Sequence, residues 1–135
     1  MAPGEEVSAE ELEERYQRGL ALKNDGQYDE AIAEFQFILE CAPGHARARL
    51  ALGLSYCFTG LFDESIEEML KAAECEPDWA EVHLQLGKAY CMLGQYPEAQ
   101  HEFNLVLKLC PPEDPTHKEA VKQLSYFSEE GQSSP

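Results

Sequence analysis

Leu86-Gly87-Lys88-Ala89-Tyr90, followed after three residues by Gly94-Gln95-Tyr96-Pro97-Glu98-Ala99, decides the fold, because the chain spells the pattern three times. Thirty-four residues upstream stand Leu52-Gly53-Leu54-Ser55-Tyr56 and Gly60-Leu61-Phe62-Asp63-Glu64-Ser65. Thirty-four further upstream stand Arg18-Gly19-Leu20-Ala21-Leu22 and Gly26-Gln27-Tyr28-Asp29-Glu30-Ala31. Phe35, Met69 and Phe103 keep the same spacing, and Pro43, Pro77 and Pro111 close the copies. Agreement at this many positions is beyond chance, and a period of a few tens of residues marks a stacked repeat array.

Each recurring residue type has a physical task. Gly19, Gly53 and Gly87 fall inside helical stretches, where glycine costs about 1 kcal/mol against alanine; close helix contact offsets that cost. Gly26, Gly60 and Gly94 supply the left-handed turn that ends a helix. Tyr28, Phe62 and Tyr96 open the next helix and plug the space within the pair. Helices are expected at 8–24, 28–41, 45–58, 62–75, 79–92, 96–109 and 115–127. Ser8 with Glu11 forms a capping box. Asp78 is the expected cap of the fifth helix and Asp114, before Pro115, that of the seventh. In the seventh, Ala120, Val121, Leu124 and Phe127 make an apolar stripe, with Lys118, Glu119, Lys122 and Gln123 opposite.

The motif L-G-x-x-Y followed by G-x-[YF]-x-E-[AS], repeated at this period, resembles the tetratricopeptide-repeat family over roughly residues 9 to 127. The resemblance implies an all-α, right-handed α-solenoid of three helix-turn-helix units with a seventh capping helix. The repeat domain then covers 8–127, with repeats at about 12–45, 46–79 and 80–113 and the capping helix at 115–127. Residues 1–7 and 128–135 are the expected disordered ends. One departure stands out: the family's early aromatic of each first helix is replaced by Arg15, Arg49 and His83. With Arg18 in place of Leu52 and Leu86, this reads as an open N-terminal end, and His83 as a surface or interface position.

Composition narrows the function. The chain carries a net charge of −16, with 26 acidic against 10 basic residues. Such a field repels nucleic acid and anionic membranes, so neither is an expected partner. No apolar run reaches the length of a membrane span. Met1-Ala2-Pro3-Gly4-Glu5-Glu6 lacks the basic and apolar regions of a secretory signal. Five cysteines without a C-x-x-C spacing fit reduced thiols in the cytoplasm. Four histidines form no i, i+4 pair with one another or with cysteine on one helix, and no phosphate loop, H-E-x-x-H or Ca²⁺ loop occurs. The expectation is therefore no enzyme, no metal and no cofactor.

The resemblance also implies which positions face a partner: 2, 5, 9, 12 and 13 of each unit, on the concave side. Here the first unit presents Tyr16, Leu20, Lys23 and Asn24 beside Glu13. The second presents Arg47, Leu50, Leu54, Cys57 and Phe58, and the third Leu84, Lys88, Cys91 and Met92 beside Glu81. The apolar members make an exposed stripe, the usual mark of a binding site. Acidic residues of the second helices, Glu34, Glu68 and Glu102 among them, read as a solvated face. The expected function is an adaptor or scaffold holding a peptide or amphipathic helix of a partner protein. A guest burying roughly 500 Å² of apolar surface gains roughly 12 kcal/mol gross, from which association removes about 4–15 kcal/mol; micromolar binding follows. Two alternatives remain: a small acidic chaperone shielding an aggregation-prone partner, similar to those of bacterial secretion systems, or weak self-association. Some family co-chaperones clamp the carboxylate tail of heat-shock chaperones. The corresponding positions here are Tyr16, Leu20, Ala51, Glu81 and Gln85, which lack the Lys, Asn and Arg such a clamp needs.

Overall fold

Gly26, Gly60 and Gly94 adopt φ of +81°, +83° and +75°, a region that costs other L-residues strain. Their N–H groups donate to the carbonyls of Lys23, Cys57 and Cys91, each at 3.0 Å. Gln27, Leu61 and Gln95 donate back to Leu22, Tyr56 and Tyr90 at 2.8, 2.9 and 2.9 Å. Orphan helix carbonyls are thereby satisfied, and each helix turns into the next within a few residues.

The computed structural model describes residues 7–133. Its elements are α1 (Ala9–Asn24), α2 (Tyr28–Cys41), α3 (Ala46–Phe58), α4 (Phe62–Cys75), α5 (Ala80–Met92), α6 (Tyr96–Leu109) and α7 (Pro115–Ser133), with no strand among the described residues. The all-α class is as expected, and α2, α4 and α6 have the expected bounds. Ser8 caps α1, its side chain accepting from the Glu11 N–H at 3.1 Å. Asp114 caps α7, accepting from the Thr116 N–H at 2.8 Å. Helices α1, α3 and α5 start one residue later than expected, and two differences matter. The N-cap of α5 is Trp79, without a side-chain hydrogen bond, and not Asp78. Helix α7 runs on to Ser133, through most of the 128–135 stretch expected to be disordered. Ser128-Glu129-Glu130 contains no breaker, and one glycine costs only about 1 kcal/mol. Apart from Val7, the expectation for residues 1–7 lies outside the described residues, as do 134 and 135.

The chain divides into two compact units, Met1–Pro77 and Asp78–Pro135. The first holds α1 to α4. Phe35 and Ile38 are fully buried there with Ala31, Ala48, Ala51 and Leu52, and Leu12, Tyr16 and Leu20 of α1 pack against them. The second holds α5 to α7. Phe103, Val106, Ala99, Leu84 and Ala120 form its core, against which Leu124 and Phe127 of α7 pack. Val121, expected on that apolar stripe, is exposed; it stands one residue beyond Ala120, about 100° further round the helix.

The replaced aromatics have a common role. Arg15 pairs with Glu34 at 3.1 Å, Arg49 with Glu68 at 2.8 Å, and His83 with Glu102 at 2.7 Å. Each pair joins the first helix of a repeat to its second, across the same sequence separation of 19. Glu34 also receives Arg18 at 3.4 Å. The reading of these glutamates as a solvated face is therefore corrected: Glu34 and Glu68 are half-buried and Glu102 is buried. His83 is buried too, not a surface residue. A carboxylate on the second helix needs a cation or N–H donor opposite it, and a base stands in that place in all three repeats.

Candidate functional site

On α1, Tyr16, Leu20, Lys23 and Asn24 stand at helical spacing along one face; on α3, Arg47, Leu50, Leu54, Cys57 and Phe58 do the same. Tyr16 organises the upper part of the first unit. Its ring centroid lies 6.1 Å from that of Phe35 and 5.7 Å from that of His45. The Arg47 guanidinium sits 4.6 Å over it, and Arg47 Nη2 donates to Glu13 Oε1 at 2.7 Å. Gln17 donates to the other oxygen of Glu13 at 2.8 Å. The Gln17 and Arg47 hydrogen bonds together hold the Glu13 carboxyl below its ordinary pKa. Burial raises the pKa of the Tyr16 hydroxyl. His45 is the N-cap of α3, its Nδ1 accepting from the Ala48 N–H at 3.1 Å. Burial, with Arg47 adding, lowers its pKa, which favours the neutral ring that a cap acceptor requires.

Phe58 closes α3 at the other end. It is 60% exposed, stacked on Tyr28 at 5.3 Å between centroids with planes 14° apart. Lys23 Nζ lies 5.7 Å from its centroid. Tyr28 thus braces the next helix. Between the two ends, Leu20, Leu54 and Cys57 are half-buried. Cys57 Sγ lies 2.9 Å from Ser65 Oγ, and burial pushes its thiol up despite that bond.

The second unit presents Lys88, Cys91 and Met92 on α5. Met92 is 64% exposed and stands one repeat after Phe58. Lys88 Nζ reaches Glu119 Oε2 of α7 at 3.8 Å. The Gln123 hydrogen bond, with Lys88 and Lys122 nearby, lowers the Glu119 pKa. Burial pushes the Cys91 thiol up as well. The thiolate is the nucleophilic form, so both thiols serve as polarisable apolar surface. Tyr96, half exposed, meets Phe127 edge-on at 5.8 Å.

Two members of the expected site are corrected. Leu50 is 7% and Leu84 4% exposed, so neither offers a partner useful surface. Leu84 belongs to the core around Phe103. Tyr16, Leu50 and Leu84 are repeat equivalents, and only Tyr16, in the first repeat, stays half open. Sequence reading placed Glu13 and Arg47 on this face without pairing them, and it missed two contributors, Glu119 and His45. Glu13 and Arg47 were legible as opposite charges one repeat apart. Glu119 carried no comparable signal, and His45 hid as the residue before α3. Elsewhere in the first unit, an open cleft of about 470 Å³ lies among Gln36, Leu39, Arg49, Tyr56 and Glu68. It contains none of the candidate residues, and Arg49 and Glu68 already hold one another. Among the described residues no cluster of His, Cys, Asp and Glu could hold a metal, and no helix is long and apolar enough to cross a membrane.

Residues 24–84 and 80–113 match models of the tetratricopeptide repeat. Together the two matches span 24–113, two thirds of the 135 residues. The sequence matches no curated protein. Several solved structures are similar over nearly the whole chain. The type III secretion chaperone SycD of Yersinia enterocolitica, in complex with a peptide of the translocator YopD, is 22% identical with a TM-score of 0.81, covering 92% of this chain and 94% of that one. PcrH in complex with the chaperone-binding region of PopD is 20% identical with a TM-score of 0.87, covering 93% and 97%. The first TPR of Spaghetti (RPAP3), bound to an HSP90 peptide, is 20% identical with a TM-score of 0.84, covering 96% and 100%. At these identities the likeness shows the fold.

Proposed function

Because the chain belongs to the tetratricopeptide-repeat family, we propose that it is a protein-interaction module that receives a peptide or amphipathic helical segment on the exposed face of its first helices. One observation carries the reading: Phe58 and Met92, at equivalent repeat positions, close α3 and α5 with 60% and 64% of their surface open to water. A large apolar side chain left exposed at the same position of each unit is surface worth covering. In the first unit half-buried Leu20, Leu54 and Cys57 extend it, with Lys23, Asn24 and Arg47 as its polar rim; in the second, half-buried Cys91 extends it beside Lys88. Buried Leu50 lies beneath the face of the first unit and buried Leu84 beneath that of the second. The peptides bound by SycD, PcrH and the RPAP3 domain support the same use of this fold.

The module acts by holding, not by catalysis, and needs no cofactor. Its site is not a carboxylate clamp. Tyr16, Leu20, Ala51, Glu81 and Gln85 supply no cation, and Glu81 adds a carboxylate engaged by Gln85 at 2.6 Å and Thr116 at 3.5 Å. The cytoplasm suits five free thiols. A chaperone that shields an aggregation-prone segment is the second reading. The near-complete coverage of SycD and the net charge of −16, which keeps an apolar face soluble, favour it.

The test uses twelve-residue peptides selected from a random display library on the full chain. Phe58→Asp and Met92→Asp change exposed side chains, so far-UV circular dichroism stays as in the wild type. Each is expected to weaken a selected peptide by about tenfold or more, as loss of an apolar anchor does. Undiminished binding to both variants refutes the assignment.

A further inference from the structure

Three basic side chains on this face can be compared directly, and two already hold a carboxylate. Arg47 donates to Glu13 at 2.7 Å while lying over Tyr16. Lys88 reaches Glu119 at 3.8 Å. Lys23 has the aromatic neighbour, Phe58, but among the described residues it has no carboxylate partner. The hydrogen bond it makes is a long donation to Asn24 Oδ1 at 3.4 Å. In a chain with 26 acidic residues for 10 basic ones, an ammonium without an ion pair beside an exposed apolar ring is conspicuous. Among the candidate residues of the first unit there is therefore one complete cation–aromatic–carboxylate set (Arg47, Tyr16, Glu13) and one set that lacks its carboxylate.

We propose that Lys23 and Phe58 form a two-point anchor for a partner segment carrying an acidic residue beside an apolar one. The guest's carboxylate completes the set at Lys23 Nζ, and its apolar side chain lies on Phe58. This rests on the reading of the apolar face given above and adds the chemistry of its guest. Phe58 is suited to the task because Tyr28 is stacked on it and limits its freedom, so less entropy is lost on binding. Lys23 Nζ stands only 5.7 Å from the ring, so the acid and the apolar residue are neighbours in the guest, or one helical turn apart. The surrounding negative field sets a limit. A guest with several acids is repelled as a whole, so the preferred segment has one carboxylate in a neutral or basic amphipathic sequence. The charge then selects among apolar segments, a role electrostatics performs better than it adds affinity.

The same display library tests this on the full chain. Selected peptides are expected to share one Asp or Glu beside, or a helical turn from, Leu, Met or Phe. Lys23→Gln is expected to weaken such a peptide by about fivefold, the upper range for an exposed ion pair, and Lys23→Glu by more. A peptide whose acid is changed to Lys is expected to bind Lys23→Glu better than the wild type. Peptides that carry no shared acid and ignore Lys23→Gln, yet are lost with Phe58→Asp, overturn the anchor and leave the binding face standing. Peptides indifferent to both positions overturn both.

Discussion

Phe103→Ala is expected to cost about 3–5 kcal/mol of folding stability, the range for emptying a buried aromatic site. Phe103 is fully buried and fills the space against Gly87, where a Cβ would lie 2.4 Å from its Cε1. The ring fits because α5 has no side chain there. The fit makes the two positions interdependent. In the wild type, Gly87→Ala gains about 1 kcal/mol of helix propensity but drives a methyl into a ring without room to move, so it destabilises. In the Phe103→Ala background the methyl meets a cavity, and Gly87→Ala is expected to stabilise. Urea unfolding followed by circular dichroism, run as a double-mutant cycle, measures that inversion of sign. Additive effects would mean that the glycine and the ring do not share one space. Against a total stability of about 5–15 kcal/mol, Phe103→Ala alone leaves the second unit close to its limit.

The second large effect falls on the hydrogen-bonded pair that stands where the family has its aromatic. His83 and Glu102 are buried together, Nδ1 to Oε1 at 2.7 Å. His83→Ala is expected to cost about 1.5–3 kcal/mol, the range for a hydrogen bond to a charged group. The cost comes from the buried carboxylate that loses a donor. Replacing both residues by leucine removes that carboxylate as well, so the double variant is expected to lie well above the sum of the two single losses. Equivalent truncations rank by exposure. Arg49→Ala, whose pair with Glu68 is partly screened by solvent, costs less than His83→Ala, and Arg15→Ala, with the more open pair to Glu34, least. Thermal unfolding of the three variants side by side gives the order; equal shifts contradict it.

The elements were legible because the repeat places its turn formers at fixed distances. Glycine at +81°, +83° and +75° followed two residues later by an aromatic leaves little freedom for where one helix ends and another begins. The error at Asp78 is instructive. Asp78-Trp79-Ala80-Glu81 has the local spelling of a capping box, but the period puts Trp79 opposite His45, and the period was right. What could not be read was helix rotation. Helix α3 is apolar almost all round, with Leu50, Ala51 and Leu52 buried in succession and Leu54 half-buried. Such a helix has no polar stripe to orient it. Leu50 and Leu84 therefore looked like wall and proved to be core, whereas Phe58 and Met92, at the ends of their helices, were exposed as expected. The ion pairs escaped for a related reason. A glutamate on a second helix spells the same whether it faces water or an arginine, and only comparison of Arg15, Arg49 and His83 with Glu34, Glu68 and Glu102 across the period exposes the match.

Backbone amide chemical shifts, recorded while a selected peptide is titrated into ¹⁵N-labelled full-length protein, test most directly whether the face of the first helices is where a guest chain sits. The largest changes are expected at Leu20, Lys23, Leu54, Cys57 and Phe58 where the first unit holds the guest and at Cys91 and Met92 where the second does, with Gln36, Leu39 and Tyr56 unmoved. Changes concentrated at Gln36, Leu39 and Tyr56, with Phe58 and Met92 silent, would contradict that placement.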